Sequence, residues 1–340
     1  MIKIVHISDI HIHDHQTNLS AISEGIQGLL FGKKPLQKGM DYLSAGIQAF
    51  SLLKRYGYSI TRDQPEIRKM LLDEIEREDP HHVILSGDIT NTALQRECES
   101  ARRAFGRFVE NAQLTIVPGN HDYPVFGEGS ARIVDYFQST FPGGRPHFPF
   151  VKIIENRVAI IGLNSCMSVR DFLSNPEVLM HTARGKVSSD QLLALPKVLS
   201  DPSLKGKYKI VVLHHHVLGN PREAPGTGRA YEFFMQKLIN ADELLKVLMD
   251  HGVDLVLHGH RHIRKFNKLH NMIVIGAGSA IYPFPKMQSP SFHVYEFNGE
   301  SPTVTIKSLE GSRFITHGGK DRLTSPKNIQ LWQYNWTTRR

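Results

Sequence analysis

Five short runs of strand-forming residues in this chain break off abruptly, and each breaks off on residues that a hydrophobic core has no use for. Residues 2–7 run into Ser8-Asp9-Ile10-His11, 82–86 into Gly87-Asp88, 208–213 into His214-His215-His216, and 253–257 into His258-Gly259-His260-Arg261-His262. The fifth, 114–117, meets a Pro118-Gly119 turn and then presents Asn120, His121 and Asp122 in a row. Buried Asn or His side chains are satisfied by one or two hydrogen bonds, so packing gives no reason for a polar cluster just past a tight turn. One strand-end histidine is ordinarily a surface or hydrogen-bonded residue, but five strand ends of the same character point to a shared site. Ligands of α/β sheets gather outside the carboxyl ends of the strands, where loops vary without disturbing the core.

The segments between the strands fit that architecture. Pro65 opens an amphipathic helix through Glu78, with proline at the first turn where its missing N–H costs nothing. A second helix is expected over 93–111, and the alternation of strand and helix is the βαβ rhythm. Further on, the spacing predicts a short helix over 132–139, a hairpin of 150–154 and 157–163 turning at Asn156, a helix over 188–199 with a Ser188 cap, a helix over 241–251, and closing strands at 272–275, 291–297 and 303–309. Leu19, Ile22, Ile26, Leu29 and Leu30, then Met40, Leu43, Ile47, Phe50 and Leu53, fall at helical spacing, which predicts a helical insert over about 14–64 rooted beside the site. The domain is expected to span 1–310, followed by a tail, 311–340, in which Trp332, Tyr334 and Trp336 alternate.

Composition narrows the chemistry. A chain of 340 residues that is 40% hydrophobic can bury one large α/β core or two smaller ones. Two cysteines, Cys98 and Cys166, make neither a disulfide framework nor a thiolate metal site, so any metal is held by nitrogen and oxygen. A net charge of +8 permits an anionic partner without requiring one. Met1 leads straight into a strand pattern, and no apolar run approaches the ~20 residues that span a bilayer, so a soluble cytoplasmic protein is expected.

The strand ends offer two carboxylates, Asp9 and Asp88, the Asn120 amide oxygen, and the imidazoles of His11, His214, His260 and His262, with His121 beside them. One octahedral ion seldom uses so many protein ligands, whereas two ions sharing a carboxylate use them well, and Asp88 is the natural bridge. Two divalent cations about 3.5 to 4 Å apart lower the pKa of a shared water and clamp both oxygens of an in-line displacement, the chemistry of phosphate-ester hydrolysis. Nitrogen and oxygen ligands admit Mn, Fe or Zn without ranking them. Asp122 is expected to orient an imidazole or the backbone of its own turn. His6, His13, His15, His81, His82 and His258 are read as solvated loop or strand-edge residues, with His13 the exception to watch because it continues the alternation of Asp9 and His11, two residues apart and so expected to point the same way in extended backbone.

Asp9-x-His11, Gly87-Asp88, Gly119-Asn120-His121-Asp122, a strand-terminal His214 and Gly259-His260-x-His262 stand in the order that resembles the calcineurin-like metallophosphoesterase superfamily, over residues 9–262. The resemblance implies a four-layer α/β/β/α sandwich of two mixed sheets, with a dinuclear centre at the strand ends and a metal-bridging hydroxide as nucleophile. It further implies that Asp9, His11, Asp88 and His262 hold one metal, and that Asp88, Asn120, His214 and His260 hold the other. His121 would be catalytic, stabilising transition-state charge or protonating the leaving group. Of the adjacent histidines, His214 is the chosen ligand because it follows the strand immediately, with His215 as the competing choice.

The Asp-Arg pair that follows Gly-Asp in the protein Ser/Thr phosphatase branch is absent, since Ile89-Thr90-Asn91-Thr92 stands here. The wording is more similar to class III cyclic-nucleotide and glycerophosphodiester phosphodiesterases. The expected substrate is therefore a small phosphodiester, with phosphomonoesters as the neighbouring alternative. A nuclease is allowed by the charge but not favoured, because no aromatic and basic stripe lies outside the tail. A non-enzymatic scaffold is disfavoured by the full ligand set, and the alternating aromatics of the tail are expected to pack on the body or on a second subunit, which leaves a homo-oligomer open. Specificity is expected from the helical insert, the 166–186 segment and the 219–228 loop.

Overall fold

The structure is a computed structural model that describes residues 1–13, 64–122, 132–167, 184–218, 238–282, 288–299 and 302–323. The expected insert up to residue 63, nearly all of the 166–186 segment, the 219–228 loop and the aromatic residues of the tail lie outside the described residues.

Two six-stranded sheets face each other. The first has the order β12-β11-β10-β1-β2-β3, with β1 at Ile2–Ile7, β2 at His82–Leu85, β3 at Leu114–Ile116, β10 at Ser291–Phe297, β11 at Thr303–Glu310 and β12 at Arg313–Arg322. The second has the order β4-β5-β6-β7-β9-β8, with β4 at Phe150–Ile154, β5 at Val158–Gly162, β6 at Tyr208–Val212, β7 at Leu255–His258, β8 at Lys265–Leu269 and β9 at Met272–Gly276. Both are mixed: β1, β2 and β3 run parallel, as do β5, β6, β7 and β9, and antiparallel strands complete each sheet. The central strands read as continuous apolar runs because both of their faces are covered.

Three apolar layers follow from that arrangement. Ile4, Ile84, Ile160, Val212, Leu257, Ile275 and Tyr295 fill the space between the sheets. The outer face of the first sheet is covered by helix α1 (Pro65–Glu78) through Leu71 and Ile75, and by α2 (Gln95–Ala104) and α3 (Gly106–Glu110) through Cys98, Ala101 and Phe108. After the short α4 (Ile133–Tyr136), α5 (Ser189–Leu199) and α6 (Ala241–Asp250) cover the second sheet through Leu192, Leu195, Leu244 and Leu248. The four-layer α/β/β/α sandwich is thus in place. A truncation in its middle layer, Leu257→Ala, would cost about 2–5 kcal/mol through lost transfer energy and the cavity left behind.

Local chemistry explains the boundaries. Pro65 opens α1 as expected, and Asp79 closes it in a left-handed conformation with its N–H on the Glu76 carbonyl. Ser188 caps α5 by accepting the Gln191 N–H. The β4–β5 hairpin turns through Glu155 and Asn156, both at positive φ, and pairs Ile154 with Val158. The helix expected over 93–111 is two helices, broken at Phe105, whose ψ of 14° leaves the helical region just before Gly106. That glycine is the residue in the stretch least able to hold a helix together. The 132–139 helix is shorter, ending at Tyr136 ahead of a 3-10 turn. The boundary drawn at Gly311 falls in a hairpin, since residues 313–322, assigned to the tail, form β12 and pair with β11 along its length. Strand β8 was also not expected. It is the outer strand of its sheet, and Lys265, Asn267 and Lys268 on it give no apolar run to read.

Candidate metal centre

Each of the five anticipated strand ends delivers its residues to one place. Beyond β1, β2 and β3 come Asp9, His11, Asp88, Asn120 and His121, and beyond β6 and β7 come His214, His260 and His262. Asp9, His11, Asp88 and His262 form one buried group, and Asp88, His214 and His260 a second, each offering ligand atoms within 4.8 Å of one another. Asp88 belongs to both groups.

The backbone reaches this arrangement in an unexpected way. Extended chain was expected to point Asp9 and His11 in one direction, but both lie in the left-handed region, at φ 55° and 50°. Asp88 (49°), His260 (76°) and His262 (55°) share that conformation. The chain kinks at these positions instead of continuing the pleat, so convergence arises from tight turns and not from strand alternation. Left-handed backbone at non-glycine residues is costly and collects at functional sites. Close approach of the turns also needs two residues without side chains. A Cβ at Gly119 would collide with the Asp88 backbone and carboxylate, and one at Gly259 would collide with Ser8 and Asp9.

Within the cluster, side-chain nitrogen and oxygen atoms face each other at short range. His262 Nε2 lies 3.2 Å from Asp9 Oδ1 and 3.1 Å from His11 Nε2, while His11 Nε2 is 3.7 Å from Asp88 Oδ2. His214 Nε2 lies 3.4 Å from Asp88 Oδ1, 3.2 Å from Asn120 Oδ1 and 3.2 Å from His260 Nδ1. His214 Nδ1 donates to the Ser86 carbonyl at 2.8 Å, so the proton of neutral His214 sits on Nδ1 and the Nε2 lone pair points into the cluster. The buried His260 Nε2 and His262 Nδ1 have no hydrogen-bonding partner among the described residues. Two carboxylates and a ring of imidazole lone pairs form a donor set for borderline cations, and the residues present fit two metal ions.

The charges respond accordingly. Burial works against ionised Asp9 and Asp88, yet His262 and His214 beside Asp9, and His214, His121 and His11 beside Asp88, outweigh it and hold both carboxyls below their ordinary range. Burial drives His260 down to about 3, with the neighbouring His214 acting in the same sense. His214 is opposed by burial but raised to about 9 by Asp88.

The neighbours hold the turns in place. Asp122 is one of these: its carboxylate accepts the backbone N–H groups of Ile89, Thr90 and Gly119 and the Thr90 hydroxyl, so it ties the Asp88 turn to the Asn120 turn and orients no imidazole. Burial and the charge of Asp88 push its carboxyl up to about 6. His121 donates its backbone N–H to Asp88 Oδ1 at 2.8 Å and its Nδ1–H to the Asn91 carbonyl at 2.7 Å. Ser165, at the end of β5, was not assigned a role. Its Oγ accepts the backbone N–H groups of His214 and His215 and donates to His215 Nδ1 at 2.8 Å. That bond holds the His215 ring against Ser165, while His214 faces Asp88, which separates the two competing histidines. Asn164-Ser165 at a strand end was the available signal for this residue.

Four of the histidines read as solvated are buried. His6 Nε2 pairs with Ser86 Oγ at 2.8 Å, His82 Nε2 with Thr115 Oγ1 at 2.8 Å, and His258 Nδ1 with the Gly259 carbonyl at 3.2 Å. His13 is not in either group of candidate ligands; its Nδ1 lies 3.1 Å from Glu97 Oε1, whose other oxygen accepts the N–H groups of Thr92 and Leu94 and so joins the end of β1 to the start of α2. A neutral imidazole tolerates burial where a hydroxyl or carbonyl meets it, and burial lowers His6 to about 3 and His258 to about 4. His81 is exposed, as expected. Cys98 and Cys166 are both buried, and neither forms a disulfide. Among the described residues, no helix is long and apolar enough to cross a membrane.

Residues 2–264 match the family described as calcineurin-like phosphoesterase. A dimetal phosphatase from Danio rerio has a similar structure, with a TM-score of 0.56 at 16% identity over 93% of this chain and 98% of that one. That likeness carries the fold. GAP50, the anchor in the inner membrane complex of Plasmodium, gives a TM-score of 0.49 at 13% identity over 96% of this chain and 90% of its own. No curated protein matches the chain.

Proposed function

The chain belongs to the calcineurin-like phosphoesterase family, and we propose that within it the enzyme is a phosphodiesterase acting on a small nucleotide or glycerophosphodiester. The coarser statement stands on the family and the site together: this is a metal-dependent phosphoric ester hydrolase with a dinuclear centre. The observation that carries the reading is the sharing of Asp88 by two buried donor groups. When bound, a pair of divalent cations supplies an activated water at neutral pH and stabilises charge on the attacking and leaving oxygens.

The residues then divide the work. Asp9, His11, Asp88 and His262 would hold one ion, and Asp88, Asn120, His214 and His260 the other. His121 would serve the leaving group. With Nδ1 committed to the Asn91 carbonyl, a proton passed to a leaving oxygen travels through Nε2. Asp122 and Ser165 keep these side chains in register without entering the reaction.

The preference for a diester rests on Ser86-Gly87-Asp88-Ile89-Thr90-Asn91 and on the lack of an Asp-Arg pair after Gly-Asp. The deciding experiment supplies Mn, Fe or Zn to metal-free protein and follows aryl phosphate mono- and diesters, cyclic nucleotides and a short oligonucleotide side by side. Diester turnover exceeding monoester turnover at least about tenfold, roughly 1.4 kcal/mol in the barrier, is the expected result. Faster monoester turnover would replace the phosphodiesterase reading with a phosphomonoesterase.

A further inference from the structure

Two residues past His262, the chain of the second sheet brings a cation against the first sheet. Arg264 sits just before β8 in the second sheet, and its Nη1 donates to Ser308 Oγ on β11 of the first sheet at 2.5 Å. No carboxylate pairs with it among the described residues, and its Nε is buried without an acceptor. Ser291 stands opposite Ser308 in the β10–β11 register, so both hydroxyls project from the same face. Ser291 is 1% exposed and its Oγ also lacks a partner. The two groups are close: a Cβ built on Gly278 would stand 3.2 Å from both Arg264 Cγ and Ser291 Oγ. Gly278 is not in the left-handed region, so the missing side chain leaves room rather than relieving the backbone.

A guanidinium has donors only, and although Arg264 as a residue is half-buried, its Nε is closed off from solvent with no acceptor, so what is missing is an acceptor, best one that carries negative charge. Water supplies the acceptor without the charge. We propose that Arg264, Ser291 and Ser308 bind a small inorganic anion of the size and charge of chloride, which ties the two sheets together. Burial of both serines favours a free ion over the distal anionic group of a substrate, which would have to enter the sandwich while attached to the metal centre. The proposal is independent of the substrate assigned above.

The test uses the full-length, metal-loaded protein. Chloride-35 line widths should broaden in its presence and narrow on competition with bromide. The Tm should rise saturably in sodium chloride, by roughly 2–4 °C, relative to sodium gluconate at equal ionic strength. A crystal soaked in bromide should show an anomalous peak within hydrogen-bond distance of Arg264 and Ser291. Arg264→Gln should abolish all three signals. Gly278→Ala, which keeps the guanidinium but narrows the space, should weaken them should the first variant fail to fold. Coincident chloride and gluconate curves in the unsubstituted protein, an ordered water in place of the bromide peak, or a chloride response that survives Arg264→Gln would each overturn the proposal. So would an Arg264→Gln variant with no chloride signal whose KM rises only for diesters bearing a second anionic group, since the guanidinium would then serve substrate.

Discussion

From the ends of β1, β2 and β3 come both carboxylates and the amide of the candidate centre, whereas β6 and β7 send only imidazoles. Among the described residues, His11 and His121 are the imidazoles the first sheet brings there. Neither sheet alone carries the full donor set, so the centre exists only while the sheets are docked. The contrast extends to how each side is held. The oxygen-bearing turns are laced by Asp122 through three backbone N–H groups. The imidazoles of the second sheet are set by Ser165 beneath the His214 backbone and by the Asp9 carboxylate accepting the His260 N–H at 3.0 Å. The Asp88 and Asn120 turns are therefore held from within the first sheet, whereas Asp9 and His260 hold each other across the two.

The sharpest way to break that division is Asp88→Asn, which removes the one carboxylate common to both donor groups. Hydrolysis should fall to background and both ions should be lost or weakened, as read by turnover and by metal content after desalting. His121→Ala separates chemistry from assembly: turnover should drop by about 10²- to 10⁴-fold with metal content unchanged. Equal metal loss in the two variants would end the distinction between holding and reacting groups. Removing metal with a chelator should lower Tm, because ligands drawn from both sheets make ion binding part of docking. At 100 times its dissociation constant each ion contributes about 2.7 kcal/mol, and unchanged Tm would mean the sheets dock equally well without them.

The smallest effect concerns protons. His82 lies on β2, and burial lowers its pKa well below the ordinary value of 6.5. The unfolded chain therefore binds a proton below pH 6.5 that the native state refuses, so this contribution is intact above pH 6.5 and is lost as pH falls. The slope is about 1.4 kcal/mol per pH unit for one such group. His82→Gln should flatten the pH dependence of chemical denaturation between 6.5 and 5, and an unchanged slope would show that His82 is protonated in the folded protein.

The same contrast marks what the sequence made legible. Asp9, Asp88, Asn120, His214 and His260 could be found because each follows a strand whose apolar run stops at a turn, and both signals are local. His6 and His82 were misread because their burial depends on Ser86 and Thr115, residues supplied by the neighbouring strand. Register decides such pairings, and a single sequence does not display it. Strand β8 escaped because outer strands show solvent a polar face, and β12 because Gly311 looked like the start of a tail rather than a hairpin turn. Asp9 and His11 were correctly paired for an incorrect geometric reason, since φ is not written in residue type for Asp or His as it nearly is for glycine.

The left-handed backbone at Asp9, His11, Asp88, His260 and His262 also bears on descent. Each of these positions would be more comfortable as glycine, so selection for catalysis and selection for foldability pull in opposite directions there. In a lineage that gave up hydrolysis, these residues should be the first to drift, and drift toward glycine would leave a hardier protein. Five non-glycine residues in that conformation around one cluster mark a turn geometry set by the chemistry of their side chains.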